Sequence, residues 1–162
     1  MLVLVLADTH LRTDLSKLPP EVWDHAAAAD VILHAGDVVT ADLLDALRAH
    51  APVHAVLGNN DHDLAGTLPA QLDLDLAGVR IGMIHDSGPR AGRPARLLRR
   101  FPEAQMVVFG HSHEPVNLAA ATGQLLFNPG SAVQRRRQPT RTLGLLTLTN
   151  TEILTHEIVP LS

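Results

Sequence analysis

Cysteine is absent from these 162 residues, which excludes disulfides, thiolate zinc sites and cysteine nucleophiles. Aromatic side chains are almost as scarce, with one Trp, three Phe and no Tyr. That leaves little surface for stacking bases, so a dedicated nucleic-acid binder is not expected, although phosphate steering needs only charge. Long apolar runs are missing too. The opening Met1 to Ala7 is apolar but far too short to span a bilayer, and it lacks a basic leader. It reads as a first strand, and the expected location is the cytoplasm. There is no internal repeat, low-complexity tract or splitting linker. With 46% hydrophobic and 19% charged residues, positions 1–162 are expected to form one globular domain.

Histidine, by contrast, is plentiful at ten residues, and charge is unevenly placed. Residues 90–141 carry nine of the thirteen basic residues against two acids, Glu103 and Glu114. Residues 1–89 carry four bases against thirteen acids. A basic later half facing an acidic earlier half suits an anionic substrate.

Five short polar clusters each follow an apolar run: Asp8-Thr9-His10, Gly36-Asp37, Gly58-Asn59-Asn60-Asp61, His85, and Gly110-His111-Ser112-His113. Within them Asp8, Asp37, Asn59, His10, His85, His111 and His113 offer two carboxylates, one amide oxygen and four imidazoles, a mixture suited to divalent transition metals. The preceding runs, Leu2 to Ala7, Val31 to His34, Val53 to Leu57, Val79 to Ile84 and Met106 to Phe109, read as strands. In extended chain, residues two apart point the same way, so Asp8 and His10 can converge, as can His111 and His113. Ligands in open α/β sheets bind beyond the carboxyl ends of strands, and five ends from one sheet would gather these groups at one rim.

Helices are expected from Pro19-Pro20 through Ala29, from Ala41 to about His50 with Thr40 as N-cap, and from Pro94 to Arg100. From Val116 onward the pattern turns strand-rich: Val116 to Ala120, Leu125 to Phe127, Thr142 to Thr149 and Glu152 to Val159, with turns at Thr122-Gly123 and Asn150. Strands alternating with helices and closing in hairpins indicate two packed sheets with helices outside.

Asp-x-His, Gly-Asp, Gly-Asn-x-Asp, a lone strand-end His and Gly-His-x-His, in this order, resemble the calcineurin-like metallophosphoesterases. The short length and the Asn128-Pro129-Gly130-Ser131 loop look like the small prokaryotic phosphodiesterase branch, which is similar in fold to the scaffold subunit of the retromer coat. The resemblance spans essentially the whole chain. It implies an α/β fold, a two-sheet β-sandwich flanked by helices in four αββα layers. It implies two divalent metals, manganese foremost and nickel, iron, cobalt or zinc equally acceptable to these ligands. Asp8, His10, Asp37 and His113 would hold the first metal, and Asn59, His85 and His111 the second, with Asp37 bridging. A hydroxide shared by the metals would then attack the phosphorus of a small phosphorylated substrate. Similar small enzymes often form homodimers or homotetramers.

Asn60, Asp61 and His62, beside the Asn59 ligand, are the candidate catalytic positions. Phosphatase relatives carry a proton-donating His where this chain has Asn60. An amide cannot donate a full proton, so the expectation is a phosphodiesterase favouring good leaving groups, with His62 a possible substitute donor. A phosphomonoesterase or nucleotide pyrophosphatase using the same metals is the alternative, and an inert protein-binding scaffold a more distant one. Asp86 stands where relatives usually have Gly; it either hydrogen-bonds a ligand or narrows the mouth. Asp8 and Asp37 taken singly read as ordinary turn residues; their companion histidines change that reading. His34 is placed to brace the Asp37 loop, His54 is read as a satisfied strand residue, and His25, His50 and His156 as surface residues. One of Arg135, Arg136 and Arg137 could clamp a phosphate, or all three belong to a solvated loop. Arg93, Arg96, Arg99 and Arg100 would share one short helix.

Overall fold

β1 (Leu2–Leu6) reads LVLVL, apolar at every position. The computed structural model, which describes all 162 residues, shows that both faces of this strand are covered. β1 pairs in parallel with β2 (Val31–His34), and β2 in parallel with β3 (Val53–Ala55). On its other side β1 pairs antiparallel with β9 (Arg141–Thr149), which forms a hairpin with β10 (Glu152–Leu161). Period-two alternation then sorts the side chains. Leu4 and Leu6 join Val22 and Ala26 of α1 (Pro20–Ala28) and Leu43, Leu44 and Leu47 of α2 (Ala41–Arg48). Val3, Val5 and Ala7 face the other way, into a second apolar layer.

That layer is shared with a second five-stranded sheet. It contains β4 (Gln71–Leu76), β5 (Val79–Ile84), β6 (Met106–Val108), β7 (Val116–Ala119) and β8 (Leu125–Asn128), in the order β4-β5-β6-β8-β7. Ile81, Met83, Met106, Val108 and Phe127 meet β1 and β2 between the sheets. Val107, Phe109 and Leu126 turn outward onto Leu97 and Phe101, in and just after α3 (Arg93–Arg100). Helices, sheet, sheet and helix make the four αββα layers expected from the sequence. No helix of the protein is long and apolar enough to cross a membrane.

Several local expectations need correction. β4 was not anticipated, although Leu72, Leu74 and Leu76 alternate with Gln71, Asp73 and Asp75. It pairs antiparallel with β5 across a tight turn at Ala77-Gly78, both in left-handed backbone. Thr40 does precede α2, but its hydroxyl donates to Arg12 O at 2.6 Å instead of capping the helix. The five ligand-bearing strand ends come from two sheets: three from β1, β2 and β3, and two from β5 and β6. The two sets meet because the sheets pack face to face and their parallel strands end at the same rim, where Gly110 N donates to His85 O and Asp8 N to Gly36 O.

Close packing leaves no room for a side chain at Gly82, where an added Cβ would lie 2.6 Å from the Phe101 ring. Gly82→Ala should therefore overpack the β5–α3 contact. The expected loss is about 1–3 kcal/mol of stability, read as a lower urea midpoint at unchanged slope; an unshifted midpoint would show that α3 moves aside freely.

Candidate metal centre

The seven residues singled out from sequence are brought together as one linked set. Asp8 Oδ1 lies 3.7 Å from His113 Nε2, and His113 Nε2 lies 3.2 Å from His10 Nε2. His10 Nε2 and His85 Nε2 each lie 3.5 Å from Asp37 Oδ2, so this carboxylate stands between two imidazoles. Asn59 Oδ1 is 3.0 Å from both His85 Nε2 and His111 Nδ1. Asp8, Asp37, His85 and His113 are buried, His10 is half-buried, and Asn59 and His111 are exposed at the mouth.

The backbone brings them in by a route different from the extended chain expected. Asp8, His10, Asp37, His111 and His113 all have positive φ, between 48° and 70°. In each pair the intervening residue, Thr9 or Ser112, lies between two left-handed residues. Non-glycine residues held there cost about 1 kcal/mol or more each. Five of the nine such residues in the chain are candidate ligands, so strain is concentrated where the polar groups converge. Gly58 is needed for a related reason: a Cβ there would lie 2.2 Å from Asp37 N and Oδ1.

Hydrogen bonds orient the rings. His85 Nδ1 donates to Ala35 O at 2.7 Å, and His113 Nδ1 donates to Gln134 O at 2.7 Å. Each bond fixes a tautomer that turns the Nε2 lone pair inward. The centre therefore points lone pairs and carboxylate oxygens at one another. Asp8 Oδ2 is buried with no hydrogen-bond partner at all. Acceptors facing acceptors at a largely buried site favour a cation, and two carboxylates with imidazoles and an amide oxygen form the donor set that divalent transition metals take. Two overlapping groups have ligand atoms close enough to share an ion, Asp8–His10–His113 and Asp8–Asp37–His85.

The acidities tell the same story. Burial pushes Asp8 up to about 7 despite the attraction of His85. Burial also acts to raise Asp37, but the adjacent His85 imidazole and hydrogen bonds from Asn60 outweigh it and hold this carboxyl well below the usual range. Burial lowers His113 to about 4 and lowers His10, keeping both neutral and able to coordinate. His85 moves up: burial opposes its charge, but Asp37, Ala35 O and Asp8 together prevail.

The neighbouring candidates find varied places. Asn60 donates its backbone N–H to Asp37 Oδ1 at 2.8 Å and its side-chain N–H to Asp37 Oδ2 at 2.7 Å. Asp61 is buried, and its oxygens accept from the backbone N–H groups of Asp37, Gly58 and Val39 at 2.9, 2.7 and 2.6 Å. Three of its roughly four acceptor sites are directed at backbone, so it locks the Asp37 and Asn59 loops together, which gives it a positioning role. His62 is exposed on a 3-10 turn, His62–Leu64, outside the hydrogen-bond network of the centre. His34 is buried at the end of β2, with Nε2 3.1 Å from Thr9 Oγ1, and so braces the loop between Asp8 and His10; burial lowers it to about 3. Asp86 accepts from Gly88 N and lies 4.0 Å from His111 Nε2, at the mouth.

Other supports were not anticipated. Ser131 Oγ donates to Asp8 O at 2.7 Å, and Asn128 Nδ2 donates to Gly110 O at 3.0 Å, tying the 128–131 loop to two ligand loops. Asn128-Pro129-Gly130-Ser131 stood out as a motif, but the carbonyls of Ala35 and Gln134 carry no sequence signature at all.

Asp8 must be ionised to bind metal, and its folded value of about 7 lies above the usual 3.8. In the metal-free protein the protonated form is therefore favoured below about pH 7, and loading must expel that proton. Because the raised His85 must also give up a proton, metal affinity should rise by at least about tenfold per pH unit below 7 and level off once both groups are deprotonated. Calorimetry in two buffers of different ionisation enthalpy should show proton release falling between pH 6 and 8; a constant release would contradict the assignment. Asp61→Ala should orphan three backbone donors and weaken metal affinity about 10- to 100-fold. Unaltered affinity in a metal titration would show that Asp61 holds nothing in place.

Comparison with known proteins bears on this geometry. The family described as the calcineurin-like phosphoesterase superfamily domain matches residues 1–151. A probable metallophosphoesterase of Methanocaldococcus jannaschii is 37% identical over 134 residues, covering 81% of this chain and 68% of the relative. Another, from Methanothermobacter thermautotrophicus, is 34% identical over 133 residues, covering 81% and 77%. Among solved structures, a variant of Vps29 from Entamoeba histolytica superposes with a TM-score of 0.81 over 100% of both chains at 23% identity, a likeness of fold.

Proposed function

Because this chain belongs to the calcineurin-like phosphoesterase superfamily, we propose that it is a phosphodiesterase working with two divalent cations. The coarser reading, a metal-binding phosphoesterase, follows from the family and from the candidate ligand groups. The observation that carries the finer one is the inward-facing cluster of acceptors with Asp37 at its middle. Asp8, His10, Asp37 and His113 would hold one cation, and Asp37, Asn59, His85 and His111 the other. When bound, the cations supply Lewis acidity that generates a nucleophile from water near neutral pH and offsets charge on the phosphoryl oxygens. Manganese is the proposed metal; nickel, iron, cobalt and zinc suit the same ligands.

The chain's own residues do the positioning. His85 and His113 are held in the coordinating tautomer by Ala35 O and Gln134 O. Thr9 and His34 from behind, and Ser131 from the side, keep the Asp8 loop in its strained form. Asn60 has its amide engaged with Asp37, and an amide is no proton donor, so departure of a poor alkoxide goes unassisted. This favours diesters with good leaving groups over simple monoesters. Against an inert scaffold stands the complete set of seven donors, which a protein-binding surface would have no reason to keep under backbone strain.

The test is a panel of bis-p-nitrophenyl phosphate and p-nitrophenyl phosphate with manganese, nickel or EDTA, run on the protein and on Asp37→Asn. The expected outcome is preferential turnover of the diester with manganese, abolished by EDTA and lowered at least about 100-fold by the substitution. Preference for the monoester would overturn the reading of Asn60. Turnover of neither with any metal would favour a scaffold.

A further inference from the structure

Most arginines of this protein are occupied. Arg96 donates to the carbonyls of Ser87, Pro89 and Ala91, and Arg93 donates to Gly88 O while lying over the Phe109 ring. Arg100 donates to Gln71, and Arg90 pairs with Glu114. Arg93 and Arg96 of α3 thus hold the loop after His85. Arg136 and Arg137 differ: both are exposed, and neither guanidinium has a hydrogen-bond or ion-pair partner in the protein.

The turn that carries them is built firmly. Gln138 N donates to Arg135 O at 2.8 Å, and Arg135 Nη1 reaches forward to Gln138 O at 3.0 Å and Pro139 O at 3.3 Å. Arg135 therefore clasps the turn from within, and Arg136 and Arg137 are its two central residues. Arg136 has φ of 49°, at a position where turns of this kind favour glycine. A large charged side chain kept in strained backbone points to a use for the side chain. The two arginines line a hollow of about 440 Å³ with Ser112, Glu114 and Gln138, without a single hydrophobic residue. Glu114 is already paired with Arg90, so the hollow is left with net positive charge. Ser112 stands between the ligands His111 and His113, and the charge of Arg136 is felt at Asp8, His10 and His113. On the Asn59–His85 side of the centre lies a different hollow of about 280 Å³, walled by Leu57, Ala70 and Ile84, with Asp86 and Arg100 on its lining as an acid and a base that offset each other. The two sides of the centre are chemically unlike.

We propose that the Arg136–Arg137 hollow receives a second anionic group of the substrate, so that the preferred substrate is an unsymmetrical phosphodiester with a carboxylate or phosphate on one arm. The phosphodiesterase reading supplies the scissile phosphorus on which this rests. Forked guanidinium donors match the planar carboxylate and the phosphate edge alike. The hollow across the centre, with its three aliphatic walls and no net charge, takes the uncharged arm.

The experiment compares p-nitrophenyl diesters that differ only in the second arm: ethyl, carboxymethyl and phosphoethyl. With the manganese-loaded protein, the two anionic arms should raise kcat/KM at least about 10-fold over ethyl. Arg136→Gln combined with Arg137→Gln should bring that ratio close to one, while Arg99→Gln, an exposed arginine elsewhere on α3, should leave it as it was. Carboxymethyl and phosphoethyl together tell which anion the hollow prefers. A ratio near one in the unaltered protein, or one that survives the double substitution, overturns the proposal. If no diester is turned over, the phosphodiesterase reading fails, and binding decides this one separately. By calorimetry on the metal-loaded protein, 3-phosphonopropionate should bind at least about 10-fold tighter than propylphosphonate, and the double substitution should erase the difference. Equal binding of the two would overturn the proposal.

Discussion

Two carboxylates buried at the rim where both sheets end, Asp8 and Asp37, set the terms for everything around them. An ionised carboxylate out of water must be paired, hydrogen-bonded or bound to metal. Asp37 is well supplied, with His10, His85 and both N–H groups of Asn60 around it. Asp8 is not: one of its oxygens has no partner, and burial pushes its acidity up to about 7. The imbalance is the physical signature of a site completed by cations. It also accounts for the inward lone pairs of His85 and His113, which would otherwise only add repulsion.

Holding such a cluster requires a stiff surround. The rim loops adopt left-handed backbone at five ligand positions, and each is fastened by a distant part of the chain. Asp61 gathers the amides of Asp37, Val39 and Gly58; Ser131 reaches Asp8 O; Asn128 reaches Gly110 O. The apolar layers beneath supply the rigidity these bonds rely on, since β1, β2, β5 and β6 are packed on both faces. Strain at the rim is thus offset by burial below it. The same division separates the arginines: Arg93 and Arg96 fasten the loop after His85, Arg135 clasps its own turn, and Arg136 and Arg137 are left free beside the centre.

The four-layer fold was readable from sequence because its strands and helices differ in hydrophobic period and most are bounded by glycine, proline or polar residues. β4 escaped notice because Gln71, Asp73 and Asp75 dilute its leucines, as suits a strand at the sheet edge. The candidate ligands were readable because metal chemistry restricts residue type and these types recur right after apolar runs. The backbone partners of Asp61 were not readable, because nothing in a Gly-Asn-x-Asp motif tells that the carboxylate gathers the amides of a neighbouring loop.

What the chain order alone determined is the inventory: seven donors of the right chemistry, a cysteine-free interior, and a basic stretch late in the chain. Such properties are local, so they survive without coordinates. Only the tertiary structure decided that the donors come from two sheets, that left-handed backbone brings each pair inward, and that Ala35 O and Gln134 O set the tautomers. It alone left Arg136 and Arg137 unpaired beside the centre. These are relations between residues as many as 123 positions apart, as between Ser131 and Asp8, and they exist only once packing has brought the strand ends to a common rim.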